Sequence, residues 1–233
     1  MINIKNSVSV IIMLMTYCFG NAQTLNSYIS TKLYTTHYGT LTGYNSKKQK
    51  LYFVTDKPTL NKETQLFVPA AFTSKIDFKI VDSAVCFGNP IFYKTDANLN
   101  AYCIIENAKP RIILSDELTD DLKKHIISSK SSLFKQCILI KNKELINFPF
   151  FKEDLKYWRA LAIFNDHFEI IENNGKIKIK DFQLSLQEIG VLEAIYLDMG
   201  SWSEGGYLNS DNQKVRIGHE FGNTNHQTNW IVF

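Results

Sequence analysis

The chain has 233 residues, 45% of them hydrophobic and 21% charged, with a formal net charge of +3 at neutral pH. That is enough apolar material for a full core, which argues against disorder and for one domain or two closely packed halves. The charge is scattered without a long run of one sign, so it builds neither a polyanion groove nor a basic tail, and a nucleic-acid partner is excluded.

Residues 1–22 read as a secretory signal peptide. Lys5 is followed by an apolar stretch from Val8 to Phe19 and by Gly20-Asn21-Ala22, with small residues placed for a cut before Gln23. The apolar stretch, about 12 residues, is shorter than the roughly 20 that a bilayer span needs. The expectation is an exported chain (periplasmic, cell-envelope or secreted) that keeps no stable membrane span once the signal is removed. Met15-Thr16-Tyr17 before Cys18 is bulkier than a lipoprotein site favours.

From residue 23 to 233 no Pro/Gly/Ser-rich linker and no fixed repeat divides the chain. Short runs rich in β-branched and aromatic residues predict strands at 32–38, 50–55, 65–73, 78–86, 91–95, 101–105, 111–114, 136–141, 160–164, 168–172, 194–198 and 229–233. Two helices interrupt them. "SDELTDDLKKHIISSK" places Ser115 as N-cap, acids in the first turn and apolar residues at helical spacing. "LSLQEIGVLE" at 184–193 puts Leu184, Leu186, Ile189 and Leu192 on a common face, with Gly190 as a weak point. Asn174-Gly175 predicts a two-residue hairpin. Helices this few and irregularly spaced predict an α+β fold, a strand-rich mixed or antiparallel sheet domain with helices packed on it.

The stretch "AIYLDMGSWSEGGYL", 194–208, carries the strongest chemical signal. An apolar strand ends on Asp198, glycines that permit tight turns and close backbone approach follow, and Glu204 lies six residues on. Paired carboxylates cleave sugar bonds; an aspartate at a strand end also simply accepts backbone N–H bonds in its own turn. Arg159, leading the run "RALAIF", offers a planar fork for phosphate or carboxylate, against the commoner solvated strand-end arginine. In "NTNHQTNWIVF", Asn223, Asn225, Gln227 and Asn229 suit sugar hydroxyls or the tying of a turn. His219 and His226 have no third ligand in register, and Cys86, Cys103 and Cys137 fit no zinc spacing, so no metal is expected. Those cysteines allow one disulfide with a thiol left over, or buried free thiols. Phosphate-cradling, dinucleotide and nucleophile-elbow motifs are missing from the sequence, and no cofactor is expected.

"RALAIFNDHFEIIE", "LSLQEIGVLEAIYLDMGSWSEGGYL" and "NTNHQTNWIVF" together resemble the phosphodiester glycosidase family, which includes the enzyme that uncovers mannose 6-phosphate by removing N-acetylglucosamine. The resemblance is best over residues 135–233. In that family an arginine leads a strand, a helix with a Leu-Gly step follows, and then comes a Leu-Asp-Gly-Gly stretch and a serine. Arg159, Asp198, Gly200 and Ser201 are the corresponding residues here, with Met199 in place of the first glycine. Toward the N-terminus the family's glycine-rich stretches correspond to "VPAAFTS" at 68–74 and "KQCILI" at 135–140, which keep only Phe72 and Gln136. The resemblance implies a hydrolase of glycosyl phosphodiesters. Arg159 would face the phosphate, Asp198 would act as base or nucleophile, and Glu204 would serve as second carboxylate or sugar ligand. Gly200, Ser201, Trp202, Asn225 and Gln136 would bind substrate. The ligand would be a glycan or sugar phosphodiester. The altered glycine-rich stretches keep open a member that binds glycan or a protein partner without turnover, and a purely structural envelope protein stands as a third reading.

Overall fold

The computed structural model describes residues 29–91, 98–150, 152–219, 221–222 and 224–233. The signal at 1–22, most of the strand expected at 91–95 and Asn223 lie outside them. The chain folds into three sheets, and every strand pair among the described residues is antiparallel.

A seven-stranded central sheet contains β1 (Ile29–Thr36), β2 (Gly39–Ser46), β10 (Ile138–Lys141), β11 (Glu144–Leu145), β12 (Arg159–Ile163), β13 (Phe168–Asn173) and β14 (Glu193–Tyr196), in the order β1-β2-β13-β12-β14-β10-β11. A second sheet has the order β16-β15-β4-β17-β3, from β3 (Tyr52–Val54), β4 (Leu66–Pro69), β15 (Gly205–Leu208), β16 (Lys214–Ile217) and β17 (Trp230–Val232). The third, β6-β5-β9-β7-β8, joins β5 (Ala84–Cys86), β6 (Asn89–Ile91), β7 (Ala101–Glu106), β8 (Lys109–Leu114) and β9 (Ser132–Gln136).

Side-chain alternation makes the central sheet a two-sided core element. Leu161, Ile170 and Ile195 point into one cluster with Phe53, Val68 and Ile231 of the second sheet and Phe134 and Cys103 of the third. Their neighbours Ala160, Ala162, Ile171 and Ala194 point the other way, onto Ile179, Phe182 and Leu186 of helix α2 (Ile179–Glu188). Both faces being dry explains why β12 and β14 read as continuous apolar runs. Each large side chain buried there stabilises the fold by about 1.5–3 kcal/mol. Helix α1 (Asp120–Ser128) lays Ile126 on Ile104, Leu133 and Tyr102, covering the outer face of the third sheet.

Several expectations need correction. The N-cap of α1 is Thr119, whose side chain accepts a hydrogen bond from Leu122 N at 3.2 Å; Ser115 instead opens a separate 3-10 turn, Ser115–Glu117. Helix α2 begins five residues before the expected 184. Gly190 does not weaken it but ends it: at φ +90° it follows the C-cap, and Gly190 N and Val191 N donate to Gln187 O and Leu186 O, the paired bonds of a Schellman turn. Asn174-Gly175 is no hairpin. Asn173 holds this turn from behind, donating through Nδ2 to Lys156 O and Gly175 O, and the chain runs on through an Ile177–Lys156 bridge into α2. The run 136–141 divides into β9 and β10 at Cys137, and 78–86 is strand only at its end.

The strands missing from the sequence reading are glycine-bearing or polar. In β2 a Cβ at Gly43 would collide with the Glu169 carboxylate and lie 2.8 Å from the Tyr34 ring. Glycine there makes room for a buried network in which Glu169 accepts from Tyr34 Oη at 3.0 Å and Asn45 Nδ2 at 3.2 Å. Among the described residues Cys86, Cys103 and Cys137 are free thiols, and none of the described helices is long and apolar enough to cross a membrane.

Candidate active site

The end of β14 is fixed from two sides. Leu197 N donates to Arg159 O at 2.9 Å and Asp198 N to Ala70 O at 3.0 Å, so the strand leaves the central sheet and joins the 70–73 segment that follows β4. The Asp198 carboxylate turns back on its own loop, its Oδ1 accepting from Gly200 N at 3.0 Å. Asp198 is only 7% exposed. Burial pushes its carboxyl pKa up to about 6, outweighing the bonds from Gly200 and Thr73 and the positive charges of Arg159 and Lys75.

This carboxyl lines a cavity of about 560 Å³. The aromatic side of the wall is Phe72, Tyr157, Trp158, Tyr196 and Trp202; the polar side includes Lys75, Lys156, Lys176, Ser201 and His219. Lys156 is paired with Asp154 at 3.0 Å, which leaves Lys75 and Lys176 against one aspartate and makes the cavity electropositive, suited to a ligand that carries both an apolar ring face and an anion. Lys75 Nζ donates to Ser201 Oγ at 3.0 Å, joining the 70–75 segment to the loop after Asp198. His219 stacks on Tyr157 with ring centroids 3.4 Å apart. Its imidazole pKa lies below the ordinary value because burial, with Arg159 and Lys176 nearby, disfavours the cation despite the opposing pull of Glu172. At neutral pH it is an uncharged hydrogen-bonding group.

Arg159 does not face this cavity. It is wholly buried, and its guanidinium points into the protein: Nε donates to Glu172 Oε1 at 2.6 Å, Nη1 to Asp198 O at 3.1 Å and Nη2 to Ser203 O at 2.9 Å. A charge removed from water is tolerated only when paired and hydrogen-bonded. Glu172, opposite Arg159 in the β12–β13 register, supplies that pairing. The expected phosphate ligand is thus a brace beneath the 198–203 loop, gripping the carbonyls at its two ends. Gly218, at φ +98°, completes the packing. A Cβ there would run into Ser203 O and lie 3.3 Å from Arg159 Nη2.

Glu204 is likewise not among the residues lining the cavity. Arg216 Nε binds its carboxylate at 2.9 Å and Lys57 Nζ at 3.5 Å. Partial burial raises its pKa, but Thr224, Lys57 and Arg216 prevail and hold it below the usual range. Gln136 is fully buried in β9, its Oε1 accepting from Cys137 N at 3.0 Å, and Asn225 is exposed in the 3-10 turn Thr224–His226; neither lines the cavity. Asp198, Gly200, Ser201 and Trp202 are the predicted residues that the fold brings together there.

Of the two C-terminal asparagines that the structure describes, Asn225 presents to solvent and Asn229 ties the chain down. Asn229, wholly buried, accepts from Ala71 N at 2.6 Å and donates to Ala71 O and Thr73 Oγ1, bolting β17 to the segment under Asp198. Sequence reasoning overlooked Tyr157, Lys75, Lys156 and Lys176, and weighed His219 only as a metal ligand. No local pattern marks them, since they converge from separate loops. Among the described residues no cluster of His, Cys, Asp and Glu is built to hold a metal.

The fold is a strand-rich α+β architecture that solved structures share. The catalytic domain of zebrafish N-acetylglucosamine-1-phosphodiester alpha-N-acetylglucosaminidase, auto-inhibited by its pro-peptide, superposes with a TM-score of 0.58 over 92% of this chain and 84% of that one, at 12% sequence identity. A hypothetical protein from Synechocystis superposes with a TM-score of 0.56 over 88% of this chain and 61% of that one, at 10% identity. At such identities the likeness is one of fold. No family model and no curated protein matches the sequence.

Proposed function

We propose that the protein is an exported hydrolase of glycosyl phosphodiesters, with Asp198 as base or nucleophile at the anomeric carbon. The observation that carries this reading is a buried carboxyl with a pKa near 6, set in an electropositive, aromatic-walled cavity. The fold shared with a phosphodiester glycosidase domain supports it. In such a substrate the departing group is a phosphate monoester, which leaves without strong protonation, so one carboxylate suffices where ordinary glycosidases use two. Lys75 and Lys176 take over the phosphate attraction first assigned to Arg159. Arg159 acts at one remove, holding the Asp198 loop in place. His219 offers a neutral hydrogen bond to the substrate.

The test is to incubate purified protein with a chromogenic sugar-1-phosphodiester and measure released sugar. Asp198→Asn should abolish release, and an unchanged rate would refute the assignment. A second reading, glycan binding without turnover, is favoured by Asp198 being the single acid lining the cavity among the described residues. Saturable binding of the same diester with no release of sugar by the unmodified protein would select it.

A further inference from the structure

Among the described residues the three sheets have six edge strands, and five of them are poor templates for another strand. β11 has two residues and β3 has three. β6 carries Pro90, β8 carries Pro110 between Lys109 and Arg111, and β16 carries Lys214 and Arg216. Short length, proline and charge are the usual means of keeping an exposed edge from pairing. β1 makes little use of them. It has eight residues, contains no proline, bears one charge, Lys32, and keeps register with β2 from Ile29 to Thr36 without a bulge. Among the described residues β2 is its one strand partner. On the open side, alternate residues of such a strand turn their N–H and C=O groups outward. At its middle, Leu33 is 65% exposed.

The strand is also its own complement. Turned about Leu33, the stretch "STKLYTT" at 30–36 sets hydroxyl side chains against hydroxyl side chains at its ends, Lys32 against Tyr34, and Leu33 against itself. We infer that β1 pairs antiparallel with β1 of a second copy of this chain, about a two-fold axis through Leu33, so that the two central sheets run on as one. The side chains fall on two faces. On one, Leu33 meets the partner's Leu33 between two threonine pairs, which takes an exposed leucine out of water. On the other, Lys32 lies opposite the partner's Tyr34. Within one chain Lys32 Nζ already sits 4.3 Å from the centre of the Tyr34 ring, and Tyr34 Oη donates to the buried Glu169 carboxylate at 3.0 Å. The incoming lysine therefore meets an aromatic ring backed by negative charge. Charge also sets the register. With the axis at Lys32 the two lysines would oppose each other, and with the axis at Tyr34 each Leu33 would face a threonine.

A single strand pairing buries less area than a standard protein interface, so association should fall in the micromolar range. Sedimentation velocity of the purified protein across that range should show a monomer–dimer equilibrium. Leu33→Lys replaces a leucine pair by opposed like charges and should raise the dissociation constant about tenfold or more. The side chain is largely exposed, so the variant should keep the far-UV circular dichroism of the parent. Leu33→Cys reads the register. Copies of a residue on the axis stand directly opposite, within reach of a disulfide, and this variant should cross-link on mild oxidation where the parent does not. Copies of residue 32 stand diagonally across the two strands, so Lys32→Cys should stay uncross-linked. A protein that is monomeric throughout the micromolar range, a dimer indifferent to Leu33→Lys, or equal cross-linking of the two cysteine variants would each overturn the inference.

Discussion

Replacing Arg159 by Met separates a ligand-binding arginine from a structural one. The substitution roughly keeps the side-chain length but strands the Glu172 carboxylate, which is 4% exposed, and removes donors from Asp198 O and Ser203 O. Breaking one half of a buried ion pair costs about 3–5 kcal/mol, a large part of the roughly 5–15 kcal/mol that holds a domain folded. For a chain of this size the melting temperature should fall by roughly 6–20 °C, read by calorimetry and checked by guanidinium unfolding. Arg159→Met combined with Glu172→Gln should recover part of the loss, because no charge is then left buried alone. A single substitution costing less than about 1 kcal/mol while weakening diester binding would refute the brace and return the guanidinium to the ligand.

Other outcomes follow from the same geometry. Turnover should decline as pH drops below about 6, where Asp198 gains its proton. Because the native state holds that proton more tightly than the unfolded chain, stability is lost as pH rises from about 4 to 6. Asp198→Asn removes this loss and should be more stable than the parent at pH 7, by up to about 3 kcal/mol in denaturant titrations. Gly218→Ala should destabilise by about 2 kcal/mol or more, since a left-handed φ and the Ser203 carbonyl both oppose a methyl group. Glu204→Gln should leave kcat within about threefold and cost less than about 1 kcal/mol, the worth of a partly solvated ion pair; a hundredfold loss of kcat would restore it as second carboxylate. Cys103 and Cys137, whose thiol pKa values burial pushes up, should resist an aromatic disulfide reagent until the protein is unfolded, whereas the half-buried Cys86 should react first.

Asp198 was legible in the sequence because its signal is local: an apolar strand, an abrupt carboxylate and a glycine turn within a few residues. Arg159 was legible as important, but its direction was not. Whether a strand-leading arginine meets solvent or core depends on Glu172 across a hairpin and on carbonyls some 40 residues away. Glu204 was claimed by Lys57, 147 residues distant, a partner that no spacing rule could supply. Gly205 and Gly206, expected to permit tight turns and close backbone approach, do the second and not the first: they form β15. A Cβ at Gly205 would lie 2.7 Å from Phe67 O, so glycine serves close strand packing there. The antiparallel, helix-poor architecture was visible in the density of short β-branched runs, whereas β2, β15 and β16 were hidden by polar and glycine residues whose burial is decided by tertiary neighbours.

The bolt between Asn229 and Ala71 spans 158 positions of the chain. Contacts so remote cannot form until most of the intervening polypeptide has found its place, whereas the β1–β2 hairpin needs only its own two arms. During refolding, a spectroscopic signal from strands should therefore return ahead of any competence to hold a ligand. The hollow around Asp198 then becomes a reporter of complete assembly, because a partly folded intermediate lacks its floor.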